Sequence, residues 1–140
     1  MLTVCPSPSL RFALLVDACA SGATGLLQLG ATQSLSALLA IPHAVLLGTG
    51  EFAVVYALLL VAMATRTRLW AAPVRVVVVG NGLWALASVG LLLSGALSPS
   101  PLGVGFVLLQ AVAVLVFAAF EWRGLRLSPP AAARGHAAMS

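Results

Sequence analysis

The chain has 140 residues, of which 61% are hydrophobic and 7% are charged, and its mean hydropathy is +1.12. Soluble domains carry about a quarter charged residues, so this composition excludes an ordinary soluble domain and is typical of an integral membrane protein. The net charge of +4 comes from seven arginines and no lysine. Because the arginines do not form a cluster of five or six, they do not indicate nucleic-acid binding.

Four apolar segments are long enough to cross a bilayer as helices. They comprise residues 10–30, 43–65, 74–97 and 102–120. A helix of about 20 residues crosses the ~30 Å of hydrocarbon. Lipid cannot hydrogen-bond to backbone N–H and C=O groups, and a helix pairs these groups within itself. The sequence therefore predicts an all-α, four-transmembrane-helix bundle over residues 1–127, followed by a disordered cytoplasmic tail over residues 128–140.

The first connection and the N-terminal segment each require an interpretation. Residues 34–41 are apolar and uncharged but too short to cross a bilayer, so they predict a short helix at the outer interface between spans one and two. A signal peptide cleaved near Cys19 is an alternative for the N-terminal segment. Its apolar stretch, residues 12–16, is short, and Asp17 interrupts it, which favours a retained first span. Cys5 and Cys19 have the spacing of neither a metal site nor a redox pair.

All the arginines fall on one side of the four predicted spans. One precedes the first span, three lie around the connection between spans two and three, and three follow the last span. The other two connections contain no charged residue. The positive-inside rule therefore predicts that both termini are cytoplasmic. The arginines are Arg11, Arg66, Arg68, Arg75, Arg123, Arg126 and Arg134.

Polar residues within the spans are the candidates for function, because ionisable groups are costly in lipid. The alternative is that they only join helices through hydrogen bonds. In span one, Asp17, Ser21, Thr24 and Gln28 follow i, i+4, i+7, i+11 spacing. This spacing places them on one helix face and predicts that the face points into the bundle.

The depths of the polar residues predict two layers. Asp17 and Asn81 each lie about 9 Å inside the arginine that precedes their span. Glu51 lies about 12 Å inside the outer end of span two, and Gln110 lies about 12 Å inside the outer end of span four. Each layer then contains one carboxylate and one amide that can donate to it. Trp84 lies one turn after Asn81 and is predicted to line, together with these polar residues, a cavity inside the bundle.

An internal duplication is a further hypothesis. Arg11-x5-Asp17 and Arg75-x5-Asn81 align at an offset of 64 residues. Such a repeat would relate the two hairpins about an axis along the membrane normal.

The sequence contains no phosphate-binding loop, nucleophile elbow or zinc motif. It therefore predicts no enzyme activity, no metal and no cofactor. Glu121, two residues before Arg123, is interpreted as a residue of the membrane edge rather than as part of a site.

Three short patterns resemble a group of small bacterial four-span membrane proteins. These patterns are Arg11-x5-Asp17-x3-Ser21-Gly22-x2-Gly25-Leu26, Asn81-x2-Trp84-x3-Ser88, and Gln110-Ala111 followed by Phe117. More loosely, the layout is similar to the DoxX-like four-helix membrane proteins. The resemblance implies a bacterial inner (plasma) membrane. The DoxX-like group includes members tied to quinone-linked oxidation, but this chain lacks a redox-cysteine arrangement, so the resemblance assigns no site residues.

Three functions follow as hypotheses. The first is a binding protein or accessory subunit whose bundle accepts a lipid-like, quinone-like or terpenoid molecule. The second is a dimeric proton-coupled transporter or permease subunit in which Glu51 carries the proton. The third is a structural partner in a larger membrane complex, surrounded by membrane lipids, in which the polar layers only set helix register. The candidate site residues are Glu51, Asp17, Asn81, Gln110, Trp84, Ser21 and Thr24.

Overall fold

Five helices make up most of the computed structural model, which describes residues 3–131. Four of them are long and apolar enough to cross a membrane. The predicted all-α, four-span bundle is therefore confirmed, and the protein is a multi-pass membrane protein. The short helix is the one predicted between the first two spans. The helices are α1 (Pro8–Gly30), α2 (Thr32–Leu39), α3 (His43–Ala64), α4 (Ala71–Leu93) and α5 (Pro101–Arg126).

Local sequence explains where α1 and α5 begin and where α4 and α5 end. Ser7 and Ser100 each cap a helix with the side-chain oxygen, and each is followed by a proline at the first helical position. Helix α4 ends at Leu93, four residues earlier than predicted, because the chain turns at Gly95 with a φ of +70°. Helix α5 continues six residues beyond the predicted end, because a single charged residue such as Glu121 does not terminate a helix.

The four long helices are arranged in the order α3–α1–α5–α4. Helix α1 packs against α3 and α5, and α5 also packs against α4, whereas α3 and α4 barely touch each other. Glycines allow the closest approaches: a Cβ atom on Gly25 would lie 2.8 Å from the Gly50 carbonyl oxygen of α3. The bundle is thus tightly packed around α1 and open between α3 and α4.

The N-terminal segment, the α3–α4 connection and the C-terminal segment meet at one end of the bundle. Strand β1 (Thr3–Val4) pairs antiparallel with β2 (Leu69–Trp70), and the Cys5 N–H donates to the Pro129 carbonyl over 2.9 Å. All six arginines in residues 3–131 lie at this end. One of them, Arg11, donates to the carbonyl oxygens of Ala64 and Arg66 and so satisfies groups left unpaired where α3 ends.

The first residues of the predicted disordered tail are ordered. The Ser7 N–H donates to the Ser128 hydroxyl over 3.0 Å, and Val4 forms a β-bridge with Pro130. The ordered part of the chain therefore extends at least three residues beyond the predicted boundary at residue 127. Residues 132–140 of that prediction lie outside the described residues.

The duplication remains a prediction. A repeat would superpose α1 on α4 and α3 on α5, so the contact between α1 and α5 should resemble the contact between α4 and α3. The first of these is packed and the second is open.

Candidate functional site

A cavity of about 660 Å³ occupies the space between α3 and α4. All four long helices contribute to its wall, which is mostly apolar, and the cavity opens to the outside of the bundle between α3 and α4. A volume of this size is within the range of sites that bind small molecules. The side chains in its wall that carry a hydroxyl, amide or guanidinium group are Ser21, Thr24, Gln28, Thr49, Tyr56, Arg66, Asn81 and Gln110.

Two aromatic rings bridge the open side of the bundle. Phe52 of α3 and Trp84 of α4 stack with ring centroids 5.3 Å apart and ring planes 6° from parallel. Both side chains also line the cavity, as predicted for Trp84. A planar or branched apolar molecule in the cavity would therefore contact a preformed aromatic surface.

A polar cluster lies next to the cavity. Asp17 and Glu121 are fully buried, and Asn81 lies between them. The Asn81 Nδ2 atom donates to Asp17 Oδ2 over 3.1 Å and to Glu121 Oε2 over 3.4 Å. Ser21 donates to Asp17 Oδ1 over 2.8 Å, and the Tyr56 hydroxyl lies 2.9 Å from Asp17 Oδ2. The predicted Asp17–Asn81 pair is thus present, within a larger network.

The cluster has fewer donors than acceptors. The Tyr56 hydroxyl lies 2.9 Å from Asp17 Oδ2 and 3.0 Å from Asn81 Oδ1, but it has one proton and can donate fully to only one of them. Glu121 Oε1 is buried and has no hydrogen-bond partner. A proton on one of the two carboxyl groups would supply a missing donor. The cluster is therefore one donor short for its buried carboxyl oxygens.

The carboxyl groups lie behind the cavity wall rather than in it. Tyr56, Asn81 and Ser21 line the cavity, whereas neither Asp17 nor Glu121 does. A molecule in the cavity would therefore touch hydroxyl and amide groups that are each hydrogen-bonded to a buried carboxyl group.

The rest of the polar stripe on α1 also faces inward, as predicted. Ser21, Thr24 and Gln28 all line the cavity. Gln28 is buried, and its Oε1 atom lies 3.2 Å from the Thr49 hydroxyl of α3. In the half of the bundle away from the arginines, the polar contact between α1 and α3 is therefore Gln28–Thr49.

The predicted pairing of Glu51 with Gln110 is wrong. Gln110 lines the cavity, and its Nε2 atom is buried without a hydrogen-bond partner. Glu51 is exposed and does not line the cavity. The reason is rotational: Phe52 and Tyr56 lie on the cavity face of α3, and at about 100° per residue this turns Glu51 away from it.

Glu121 is the functional candidate that the interpretation of the sequence missed. The hydropathy pattern places Glu121 at the membrane edge, because the predicted span four ends at residue 120, directly before this charged residue. A usable signal is present in the sequence, because Ala111, Ala118, Glu121 and Gly124 share one face of α5 at small-residue spacing, and all are buried. A carboxyl group in such a row faces a neighbouring helix rather than water.

Comparison of the chain with protein-family models, curated proteins and solved structures found no match. The resemblance to DoxX-like proteins therefore remains a prediction. Functional inference depends on the chemistry of the cavity and the polar cluster.

Proposed function

We propose that this membrane protein binds one small, largely apolar molecule in the cavity between α3 and α4. The observation that carries the proposal is the combination of a cavity of about 660 Å³ with a buried amide donor, Gln110 Nε2, that has no partner. A buried donor without an acceptor costs about 1–3 kcal/mol. A ligand with a matching acceptor recovers that free energy, which gives the site a chemical preference.

The preferred ligand has a carbonyl-type oxygen on an apolar or aromatic body. Gln110 lines the cavity, and a change of its side-chain rotamer would let the buried Nε2 atom donate to a ketone, ester or quinone oxygen of a ligand there. The stacked Phe52 and Trp84 rings offer an apolar, planar surface in the same cavity. Quinone-like, terpenoid and other lipid-like molecules share these properties. The lateral position of the cavity allows such a molecule to enter from the hydrocarbon of the bilayer.

Menadione and 2-methylnaphthalene provide a matched test, because they share a ring system and differ in two carbonyl groups. In lipid nanodiscs, we expect the wild-type protein to bind menadione about tenfold more tightly, since one net hydrogen bond contributes about 1–1.5 kcal/mol. Gln110→Leu is expected to remove this difference and leave the affinity for 2-methylnaphthalene within about twofold. Binding is measured by tryptophan quenching, with empty nanodiscs correcting for partitioning into lipid.

Gln33→Leu is the matched control, because Gln33 is exposed on α2 and lies outside the cavity. It is expected to preserve the preference for menadione. Absence of saturable binding of either compound to the wild-type protein would refute the proposal. A preference that survives Gln110→Leu would refute the role of this amide.

The buried carboxyl groups favour proton-coupled transport as a second candidate function. Asp17 and Glu121 share the Asn81 amide, and the cluster contacts the cavity through Tyr56. In this function the proton-holding group is the Asp17–Glu121 pair, rather than Glu51. Transport predicts that reconstituted vesicles accumulate a ligand in response to a pH gradient, and that Asp17→Asn abolishes the accumulation without loss of binding.

We infer that the end of the bundle that contains the arginines is cytoplasmic. The inference rests on the positive-inside rule and on the clustering of six arginines at one end. In a variant with Cys5 and Cys19 replaced by serine, a cysteine at Thr67 is expected to react with an impermeant maleimide only after the cells are opened. A cysteine at Ser98 is expected to react in intact cells. Both Thr67 and Ser98 are exposed. The opposite labelling pattern would reverse the orientation.

A further inference from the structure

The position of Glu51 on the outside of the bundle is unusual for a membrane helix. It lies about 12 Å inside the outer end of α3, which begins at His43, and its side chain is exposed. A charged side chain within a bilayer is costly, and such residues almost always face a protein interior or a polar partner. Within one copy of the chain, Glu51 faces neither.

The face of α3 around Glu51 is suited to helix–helix contact. Residues Ala44, Gly48, Glu51, Val55 and Leu58 follow i, i+4, i+7, i+11, i+14 spacing and are all exposed. Nothing lies within 4 Å of a Cβ atom added at Gly48, so packing within one copy does not require glycine there. Ala44 and Gly48 form a small-x3-small pattern, which permits two helix backbones to approach closely.

We propose that this face of α3 binds the same face of a second copy of the chain, so that two Glu51 carboxyl groups hydrogen-bond across a twofold axis along the membrane normal. A twofold axis in that direction places identical residues at the same depth. A carboxyl group that keeps its proton is both a donor and an acceptor, so two such groups complement each other. The small residues one and two turns away bring the helices close enough for the contact.

The choice of α3 as the contacting face of the second copy follows from the other exposed side chains. Away from the helix ends, Glu51 is the only exposed residue in the four described spans that has a carboxyl, amide or hydroxyl group. The described arginines all lie at the opposite end of the bundle. In a contact between copies, any other face would leave Glu51 against apolar side chains. Only α3 against α3 gives it a polar partner at its own depth.

This interface is independent of the cavity. Phe52 and Tyr56 lie on the cavity face of α3, whereas the proposed interface follows Glu51 and Val55 on a different face. Dimerisation and ligand binding can therefore be tested and refuted separately.

The first experiment measures the monomer–dimer equilibrium of the full chain, by native mass spectrometry and by single-molecule photobleaching in lipid vesicles. We expect a dimer for the wild-type protein and for Glu51→Gln, because an amide also both donates and accepts. Glu51→Leu and Gly48→Leu are each expected to weaken dimerisation at least tenfold. Gly105→Leu is the matched control, because Gly105 is exposed on α5 with nothing within 4 Å of an added Cβ, and it should leave the dimer unchanged.

The second experiment locates the interface by cysteine cross-linking in a background without Cys5 and Cys19. Val55→Cys, one turn from Glu51, is expected to form a disulfide between two copies in the membrane. Val79→Cys on α4 is the control, because Val55 and Val79 are 58% and 59% exposed. A wild-type monomer would overturn the proposal. So would a dimer that tolerates both Gly48→Leu and Glu51→Leu, or one that cross-links at position 79 rather than 55. Unchanged thermal melting of each variant monomer separates these outcomes from misfolding.

Discussion

Gly124→Ala is expected to lower the free energy of unfolding by about 2–3 kcal/mol, because the added methyl group collides with the backbone of α1. A Cβ atom at this position would lie 2.6 Å from Leu10 Cα and 2.8 Å from Leu10 N. These atoms belong to a helix and cannot rotate away as a flexible side chain would. The hydroxyl groups of Ser7 and Ser128 also donate to the Gly124 carbonyl, so α5 is held in place at this point.

Reversible unfolding in mixed detergent micelles, followed by circular dichroism, measures the effect. Gly105→Ala on the same helix is the control, because an added Cβ at Gly105 has open space around it. Alanine has the higher helix propensity, so this variant is expected to be unchanged or more stable by up to about 1 kcal/mol. If the two alanine variants differ by less than about 0.5 kcal/mol, the contact between α5 and α1 is looser than the structure indicates.

The helices were predictable because the hydropathy and the length of a segment can be read directly from the sequence. Four long apolar segments, separated by prolines, serines and arginines, need no knowledge of packing to be identified as spans. The same holds for the inward polar face of α1, since Asp17, Ser21, Thr24 and Gln28 share a spacing that only one helix face can accommodate. The Asp17–Asn81 contact was predictable from equal depth, and the structure places the two side chains 3.1 Å apart.

Equal depth in the membrane did not predict the partners of Glu51 and Gln110, because these depend also on how α3 is rotated about its axis. Glu51 and Gln110 lie at similar depths, yet α3 is rotated so that Phe52 and Tyr56 face the cavity and Glu51 faces outward. Nothing in the sequence of α3 indicates this rotation strongly, because apolar residues surround the whole helix. The open side between α3 and α4 depends on packing between all four helices, so sequence patterns in single segments do not reveal it.

The buried position of Glu121 was not predicted, because the residue lies near the end of an apolar segment. A charged residue near an end of an apolar segment is normally interpreted as the membrane boundary, where water can solvate it. Here α5 continues to Arg126, and Glu121 is completely buried against α1 and α4. The cluster of Asp17, Asn81 and Glu121 therefore connects three helices, and its energetics can be tested directly.

Asn81→Leu is expected to destabilise the bundle by about 3 kcal/mol. The amide donates to both Asp17 and Glu121, so its loss leaves two buried carboxyl groups without that donor. An interhelical hydrogen bond in a membrane protein contributes only about 0.6 kcal/mol on average, whereas an unpaired ionisable group in lipid costs about 2.5–3.5 kcal/mol. The size of the measured effect therefore shows whether Asn81 only links helices or compensates buried carboxyl groups.

A double-mutant cycle with Glu121→Leu, which approximately conserves side-chain volume, separates these roles. If Asn81 compensates Glu121, the Asn81→Leu change costs at least about 1 kcal/mol less when Glu121 is already leucine, because one fewer carboxyl group is then left unpaired. Additive free energies would mean that the 3.4 Å contact between Asn81 Nδ2 and Glu121 Oε2 has no energetic weight. In that case Asp17, held also by Ser21 and Tyr56, would account for the whole effect of Asn81. Coupling between Asn81 and Glu121 would establish that α4 and α5 share a buried polar contact next to the cavity.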